Sequence, residues 1–427
     1  MNQVDVTINV DTSNQYQRVY GYGGALTQSS AYLFSEMLKT NETFGMDVLK
    51  SLFDPNEGIG ISMLRVPASS CDFSLYNYTY DDVVGDTALD HLSINIDLLY
   101  TIPIIKTIQQ FNPNIRLIYT PWSAPTWMKS SDSLDYGTLN LNMYDVYTDF
   151  ITKFITLYKE EQGIDIYAIT IQNEPLFQPM TYPGMLVTSQ VETSLVKLLG
   201  PKLKAANLST EIFIYDHNWI DPEYPLDILS DEDAYPYVGA TAFHCYQGDV
   251  SNQSVVYTKF PEKEIHMTEC SGGAWAPNFS DNLVWASDNL YIGAMTNWAS
   301  SMLQWNFALN TQSGPTNHGC LNCRGFITVD ESTYQSIEYN VEYYGTAHYN
   351  KFISQPCFRI DSEIINNSQQ PSSSCINSIA YSNSDGNSYH VVVVNSCSTI
   401  MNLQLNLVQE NIYLTYSLPI GLTTFYF

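Results

Sequence analysis

The chain has 427 residues, of which 44% are hydrophobic, 44 are acidic and 17 are basic, so its net charge is −27. Because a single core stops growing near ~250–300 residues, this length predicts one large domain with a smaller one attached. The negative charge opposes binding to nucleic acid and to anionic lipid surfaces, and it fits either an acidic compartment or simple solubility.

Between residues 20 and 350, strand-like apolar runs alternate with helical patterns, as expected for βα units around a parallel sheet. The predicted strands are Val19–Leu26, Ile59–Val66, Ile115–Thr120, Ile166–Gln172, Glu211–Tyr215, Val238–Phe243, Glu264–Thr268 and Met302–Phe307. The helical patterns include Ile96–Gln110, Tyr144–Glu161, Val191–Ala206 and Leu283–Trp298. Eight strands with intervening helices predict an α/β fold, a (β/α)8 TIM barrel with insertions.

After Lys351 the pattern changes to short alternating runs separated by Ser, Asn and Gly, which predicts an antiparallel β module. These runs are Ser378–Tyr381, Tyr389–Val394, Met401–Leu407 and Ile412–Leu418. The segment Asn2–Val10 alternates in the same way before the barrel begins. We therefore expect a barrel domain over residues 20–350 and a small β-sandwich domain formed by residues 1–19 and 351–427.

Two glutamates follow predicted barrel strands, Glu174 after the fourth and Glu269 after the seventh. The active sites of TIM barrels lie at these strand ends. The other predicted strand ends carry polar or aromatic residues: Arg65, Trp122, Asn173, Asp216, His217, His244, Tyr246, Trp305 and Asn306. Two carboxylates on one rim can supply the proton donor and the nucleophile or base of glycoside hydrolysis, whereas either glutamate alone is more often a solvated loop residue.

Eight cysteines occur in the sequence, at positions 71, 245, 270, 320, 323, 357, 375 and 397. Cys320-Leu-Asn-Cys323 resembles half of a zinc site, but no second pair with matching spacing lies nearby, so a local disulfide is predicted there. A second disulfide is expected among the cysteines at 357, 375 and 397. Cys245 and Cys270 are predicted to be free, buried thiols, and we predict no metal or other cofactor.

The location of the protein is predicted from its apolar runs, its first residues and its glycosylation sequons. No apolar run reaches the ~18–20 residues of a membrane span, and the first residues do not resemble a signal peptide. Six Asn-x-Ser/Thr sequons occur, at Asn41, Asn77, Asn207, Asn252, Asn278 and Asn366. Although some arise by chance, they favour a secreted or lysosomal protein, with this chain as its mature form.

Seven segments of the chain together resemble glycoside hydrolase family 30, which includes glucosylceramidases and microbial β-1,6-glucanases. They are Gly21-Tyr-Gly-Gly-Ala-Leu-Thr27, Leu64-Arg-Val-Pro-Ala-Ser-Ser-Cys-Asp-Phe-Ser74, Pro121-Trp-Ser-Ala-Pro-Thr-Trp127, Gln172-Asn-Glu-Pro175, Phe243-His-Cys-Tyr246, Thr268-Glu-Cys-Ser-Gly272 and Gln304-Trp-Asn-Phe-Ala-Leu-Asn310. The resemblance implies a TIM barrel with an attached β-sandwich, in agreement with the pattern of elements.

The resemblance also implies catalytic roles. Glu174 would be the acid/base and Glu269 the nucleophile of a retaining β-glycosidase. Because two carboxylates ~5–5.5 Å apart resist simultaneous ionisation, we expect the proton donor to have a raised pKa. Asn173 would bind the sugar 2-hydroxyl, or else only cap the turn before Pro175. Arg65 would orient the nucleophile through a charge-assisted bond, a role that is compatible with a structural ion pair.

Further residues match sugar-binding positions of the family. Asp72 would accept hydrogen bonds from sugar hydroxyls. The indoles of Trp122 and Trp305 would stack on the sugar and each donate one N–H. His244 and Tyr246 would flank the nucleophile, although a lone histidine is more often a satisfied core residue. Trp127 is expected to pack beneath the pocket.

The resemblance leaves two main substrate classes open, a glycolipid and a β-glycan. The first expectation is a glucosylceramide-type β-glucoside, with an activator protein or a membrane surface as a possible partner. Apolar residues at the pocket mouth, Leu176-Phe177 with Pro179-Met180, would then contact the lipid. The alternative is an endo-β-1,6-glucanase or another β-glycan hydrolase, which the segments around Glu269 and Cys320 favour. A non-catalytic carbohydrate-binding protein is a third alternative, against which the presence of both glutamates argues.

Overall fold

The computed structural model describes residues 4–366 and 375–427 of the chain. The strands are β1 (Val6–Val19), β2 (Gly21–Ala25), β3 (Met63–Ala68), β4 (Arg116–Pro121), β5 (Ala168–Thr170), β6 (Glu211–Asn218), β7 (Val238–His244), β8 (Glu264–Glu269), β9 (Gly272–Gly273), β10 (Ala299–Gln304), β11 (Ala308–Asn310), β12 (Cys323–Arg324), β13 (Ile327–Val329), β14 (Ile337–Tyr339), β15 (Cys357–Asn366), β16 (Ile376–Ser382), β17 (Tyr389–Asn395), β18 (Met401–Leu407), β19 (Ile412–Leu418) and β20 (Gly421–Tyr426). The α-helices are α1 (Gln28–Thr40), α2 (Glu42–Phe53), α3 (Thr101–Phe111), α4 (Tyr144–Gln162), α5 (Ser189–Ala205), α6 (Glu223–Leu229), α7 (Asn252–Lys259), α8 (Phe279–Ala286), α9 (Gly293–Thr296) and α10 (Val341–Asn350).

Eight parallel strands close into a barrel in the order β10-β2-β3-β4-β5-β6-β7-β8. A parallel strand inside a ring of helices is buried on both faces, and every residue of β3 and β10 is indeed buried. Side chains such as Met63, Ile118, Phe213 and Leu303 form one buried cluster of barrel-strand residues. The predicted TIM barrel is confirmed.

The helices pack their apolar stripes on the outside of the barrel. In α4 the buried residues recur at three and four, including Tyr147, Phe150, Ile151 and Phe154. The helix ends at Gly163, whose φ of 68° suits a residue without a Cβ. The ends of the strands and helices together fix the position of the last residue of each strand at the C-terminal rim of the barrel.

A second sheet of seven strands has the order β19-β18-β1-β15-β16-β17-β20, with only the β1–β18 pair parallel. Its two edge strands, β19 and β20, approach each other, because the rings of Tyr416 and Phe425 lie 5.5 Å apart. Asn395 Nδ2 of β17 also donates to Leu418 O of β19 at 3.1 Å. The sheet therefore curls around one apolar core, which confirms an attached antiparallel domain of sandwich-like form. The division of the chain at residues 19/20 and 350/351 stays a prediction.

Several predicted boundaries are corrected. The eighth barrel strand ends at Gln304 and not at Phe307, because Trp305 N bonds to Cys270 O and Asn306 adopts a left-handed φ of 57°. The predicted helix Leu283–Trp298 is divided by a π-helical turn over Ser287–Ile292.

Two features bear on the predicted location, the apolar character of the helices and the exposure of the glycosylation sequons. Within residues 4–366 and 375–427, no helix is long and apolar enough to cross a membrane. Among the predicted sequons, Asn77, Asn207 and Asn278 are exposed, whereas the side chain of Asn366 and residues 1–3 lie outside the described part of the chain.

Candidate active site

A pocket of about 290 Å³ opens at the C-terminal ends of the barrel strands. Its lining residues are Asp72, Trp122, Asn173, Glu174, Tyr182, Tyr246, Glu269, Ser271, Trp275, Trp305, Cys320 and Cys323. Seven of the nine predicted site residues belong to this set, and the other two, Arg65 and His244, are fully buried against it. The prediction missed five lining residues, Tyr182, Ser271, Trp275, Cys320 and Cys323, which lie on loops or in the two-residue strand β12, where strand patterns do not place them.

Glu269, the last residue of β8, is held on both carboxylate oxygens. Arg65 Nη1 donates to Oε2 at 2.5 Å, and the Tyr246 hydroxyl donates to Oε1 at 2.7 Å. The Arg65 guanidinium lies over the ring of Trp122 at 4.8 Å and that of Trp305 at 5.8 Å. A charge-assisted bond to a buried arginine orients the carboxylate at this position.

Glu174 faces Glu269 across the pocket. Its backbone has a left-handed φ of 44°, and its N–H donates to Asp216 O at 3.0 Å. Strained backbone of this kind clusters at functional sites because surrounding bonds must hold it. A Glu174 oxygen, a Glu269 oxygen and a His244 nitrogen lie within 4.8 Å of one another. This carboxylate spacing fits a retaining glycosidase, in which the carboxyl groups stand ~5–5.5 Å apart, better than an inverting one.

Asp216, which the sequence placed at a strand end but not in the site, is fully buried beneath both glutamates. Its Oδ1 accepts from the Thr268 hydroxyl at 2.6 Å and lies 3.0 Å from His244 Nε2. Its Oδ2 accepts from Arg65 Nη2 at 2.8 Å and from the Thr170 hydroxyl at 2.9 Å. Despite its burial, the Arg65 charge and the His244 contact hold the pKa of Asp216 well below its usual range.

The charges around this site favour a proton on His244 over a proton on Glu174. Burial opposes a charge on His244, but Glu269 and Asp216 raise its pKa to about 9. Burial likewise opposes ionisation of Glu174, but His217 and His244, at 3.8 Å and 3.2 Å, lower its pKa to about 2. The prediction that the proton donor has a raised pKa is therefore wrong for the unliganded site, because a histidine cation lies beside the carboxylate.

Asp72 lies on the opposite wall of the pocket. Its backbone carbonyl accepts from the Thr316 hydroxyl at 2.9 Å and from Asn317 N at 2.7 Å, which anchors it to the loop before Cys320. Burial and the nearby Glu269 charge raise the pKa of the Asp72 carboxyl to about 8. A carboxyl that gains or loses its proton near neutrality can both donate to and accept from sugar hydroxyls.

The amide and the two indoles complete the walls. Asn173 Oδ1 accepts from Arg65 Nη2 at 2.7 Å. Trp122 and Trp305 stack on each other with centroids 5.5 Å apart. Trp127 is buried and donates to Asp81 O at 3.1 Å, outside the pocket lining, as its predicted packing role requires.

Cys245 and Cys270 form a disulfide, so the prediction that they are free thiols is wrong. They follow neighbouring strands, β7 and β8, whose pairing brings their Cα atoms to 5.4 Å, a separation that suits a disulfide. The Cys320–Cys323 disulfide is confirmed, as is a second one, Cys375–Cys397. Among the described cysteines, Cys71 and Cys357 are free and buried.

The donor set is suited to acid–base and nucleophilic chemistry. Glu174, His244 and Glu269 have atoms close enough to hold a cation, but Arg65 already contacts Glu269 at 2.5 Å and its charge opposes one. Two facing carboxylates, one of them beside a histidine that carries a proton, in an aromatic, hydroxyl-binding pocket can cleave a glycosidic bond.

Residues 19–353 match the sequence profile of the glycosyl hydrolase family 30 TIM-barrel domain. The chain belongs to glycoside hydrolase family 30. As a glycosidase of this family, it is 32% identical to endo-1,6-beta-D-glucanase neg1 of Aspergillus fumigatus, over 82% of this chain and 73% of the relative. It is 31% identical to putative glucosylceramidase 3 of Caenorhabditis elegans, over 85% of this chain and 72% of that relative.

A solved structure extends the likeness to the whole fold. The structure of the endo-beta1,6-glucanase BT3312 superposes with a TM-score of 0.91 and 30% identity, covering 98% of this chain and 93% of that chain. Both the barrel and the curled sheet of this family 30 member therefore have counterparts in that enzyme. The roles of the individual site residues stay predictions.

Proposed function

We propose that the protein is a retaining endo-β-1,6-glucanase, and the observation that carries this proposal is the agreement of two comparisons. The A. fumigatus relative and the BT3312 structure, found independently by sequence and by fold, are both endo-1,6-β-glucanases. The Glu174–Glu269 geometry supports the retaining mechanism.

The proposed reaction has two steps. Glu269, held by Arg65 and Tyr246, attacks the anomeric carbon while the bond to the leaving oxygen breaks. The proton held on His244 passes to Glu174, whose Oε1 lies 3.2 Å from His244 Nδ1, and Glu174 donates it to that oxygen, which leaves a covalent glycosyl ester on Glu269. Glu174 then deprotonates a water molecule, which attacks the same carbon and releases Glu269. The Asn173 amide is free to hold the sugar 2-hydroxyl, a bond that strengthens in the oxocarbenium-like transition state.

Glucosylceramide hydrolysis is the second candidate. The likeness to putative glucosylceramidase 3 of C. elegans favours it, as do Leu176 and Phe177, which are exposed apolar residues close in sequence to Glu174. Neither side chain lines the pocket, however, and no contact of the described residues points to an activator protein or a membrane surface. These partners and a secreted or lysosomal location stay predictions.

A parallel assay tests the proposal. Purified protein is given β-1,6-glucan, a glucosylceramide analogue and an aryl β-glucoside, and the anomer first released from the glucan is identified by NMR. We expect internal cleavage of the glucan with β-anomeric products, and loss of turnover by several orders of magnitude in Glu269→Gln, whose fold is checked by circular dichroism.

Two results would contradict the proposal. Faster turnover of the lipid-linked glucoside than of the glucan would move the assignment to the second candidate. Near-normal activity of Glu269→Gln, or release of the α-anomer, would contradict the retaining mechanism with Glu269 as nucleophile.

A further inference from the structure

A second, larger cavity of about 640 Å³ opens beside the active-site pocket. The two cavities share Tyr246, Ser271 and Trp275 as lining residues. We call this cavity the aromatic groove and define it by Tyr246, Ser271, Trp275, Asp281, Asn282 and Trp285. Because the same three residues border both cavities, the cavities are adjacent, and a molecule bound in the active-site pocket can continue into the groove.

The groove is a built surface, since the loop that carries Trp275 is fixed on both sides. β9 pairs with β12, and Ala274 N donates to Asn322 O at 2.8 Å. Arg324 lies 2.9 Å from the buried Glu342, and its Nη1 reaches the carbonyls of Gly273 and Ala276 at 3.4 Å. The indole of Trp275 packs directly over Gly273, where a Cβ would clash with the ring.

The helix that carries Trp285 continues into the π-helical turn Ser287–Ile292, which contributes Leu290 and Tyr291 to the floor. π-Helical turns of this kind are rare and occur frequently at functional sites. The floor residues are almost fully buried. The helix and the loop thus present two tryptophans above a packed base.

Exposure and chemistry decide what the groove binds. Trp275 and Trp285 are 56% and 52% exposed, although large aromatic side chains are usually covered. Asp281 and Asn282 place a carboxylate and an amide beside these indoles. Flat aromatic faces combined with hydroxyl-binding groups suit a pyranose chain, whereas a hydrocarbon tail has no use for a carboxylate and an amide.

We propose that the aromatic groove binds the β-glucan chain beyond the sugar residue held in the active-site pocket. The inference rests on the proposed function and names the part of the protein that recognises a polymer. A glucan that spans both cavities gains stacking on Trp285 that a monosaccharide glucoside cannot reach. Catalytic efficiency therefore rises with chain length until the groove is filled.

The test measures kcat/KM for Trp285→Ala on β-1,6-gluco-oligosaccharides of increasing length and on an aryl β-glucoside. We expect about a tenfold loss on the longest oligosaccharide, the equivalent of one aromatic stacking contact. Activity on the aryl glucoside should match that of the control Tyr413→Ala, which removes a 74%-exposed ring from the curled sheet. Trp285→Tyr, which keeps a ring at the position, should recover most of the loss.

The outcomes separate the two proposals. If the wild type gains with chain length and Trp285→Ala keeps the same gain, the groove assignment is wrong while the glucanase proposal stands. An equal loss of Trp285→Ala on the aryl glucoside would show a general structural effect and would also overturn the groove. If the wild type cleaves the aryl glucoside but no β-1,6-glucan, the proposed function fails and the groove assignment fails with it.

Discussion

Asp216 links the surroundings of the two glutamates through one buried carboxylate. It holds Arg65, which contacts Glu269, and His244, which contacts Glu174. Fixed charges below the pocket therefore hold Glu269 in place through Arg65 and set the protonation of Glu174 through His244. Against its burial, the negative charges of Glu269 and Asp216 raise the pKa of His244, and the resulting cation lowers the pKa of Glu174.

Because Glu174 and His244 share one proton, the pH profile of kcat/KM tests the role of His244 directly. With the pKa of His244 at about 9 and that of Glu174 at about 2, the pair keeps one proton until His244 loses it. In His244→Gln the cation is gone, and burial beside the Glu269 charge favours the protonated form of Glu174. The alkaline limb of kcat/KM on an aryl β-glucoside should then report Glu174 itself and move to lower pH by more than about one unit.

A neighbouring histidine provides the comparison for this profile. His217 lies farther from Glu174, at 3.8 Å, so His217→Gln should move the limb less. Asp72, with a pKa of about 8, titrates in the same range in the wild type, His244→Gln and His217→Gln, so its effect on the limb cancels when the three profiles are compared. An unchanged limb in His244→Gln would mean that Glu174 receives its proton from another group.

At the scale of elements, the barrel was predictable because parallel strands are buried on both faces and appear as continuous apolar runs. The curled sheet was predicted less completely. β15 and the edge strand β20 were missed, and β20 shows no alternation of buried and exposed residues. The break in Leu283–Trp298 was invisible because a π-helical turn barely disturbs a 3.6-residue period over a short segment.

Contacts between distant strands were beyond prediction. The Cys245–Cys270 disulfide depends on the register of β7 and β8, and the four bonds of Asp216 reach side chains on β3, β5, β7 and β8, an arrangement that no local pattern specifies. The strand-end rule still collected the partners, since Asp216 and His244 both appeared at predicted ends. Local sequence thus predicted which residues reach the rim, and the pairing of strands decided which of them touch.

Two rim loops, after β4 and β5, are joined by one buried lysine. Lys129 Nζ donates to the Ser123 hydroxyl at 2.7 Å, to Leu134 O at 2.7 Å and to Gly184 O at 2.8 Å. Lys129→Met keeps the length of the side chain but removes the donor to Ser123 Oγ and Gly184 O, while Leu134 O keeps its bond from Gly184 N, and the loss should destabilise the fold by ~3 kcal/mol. The midpoint of thermal unfolding measures this change.

The same substitution should affect the pocket, because Tyr182 lines it and lies two residues before Gly184. We expect KM for an aryl β-glucoside to rise in Lys129→Met while Lys39→Met, at a 59%-exposed site, changes neither KM nor stability. A normal unfolding midpoint in Lys129→Met would show that the loops hold together without this lysine.

At the scale of the whole molecule, the curled sheet is joined to the barrel by specific polar contacts. Gln17 Nε2 donates to Ala299 O at 2.9 Å, and Asn377 Nδ2 donates to Asp288 Oδ1 at 3.1 Å. Tyr22 of β2 and Tyr381 of β16 share a buried hydrogen bond between their hydroxyls. Any group that destabilises this junction on protonation will couple the stability of both parts to pH.

His390, on β17, is such a group. It is fully buried, its ring lies 6.0 Å from that of Tyr381 and 6.1 Å from that of Phe352, and burial lowers its pKa to about 3. Above pH ~6.5 the histidine is neutral in the folded and unfolded chains and has no effect. As the pH falls toward 3, only the unfolded chain binds the proton, so the folded state loses ~3 kcal/mol by pH 4.5.

Calorimetric unfolding of His390→Gln at pH 7.5 and pH 4.5 tests this dependence. The glutamine does not titrate, so the fall in Tm between the two pH values should be smaller in the variant than in the wild type. Carboxylates elsewhere and His348, whose pKa is also lowered by burial, contribute equally to both proteins and cancel in the difference. The control His91→Gln alters a largely exposed ring and should reproduce the wild-type fall. Equal falls in wild type and His390→Gln would show that His390 is protonated in the folded protein, against the burial argument.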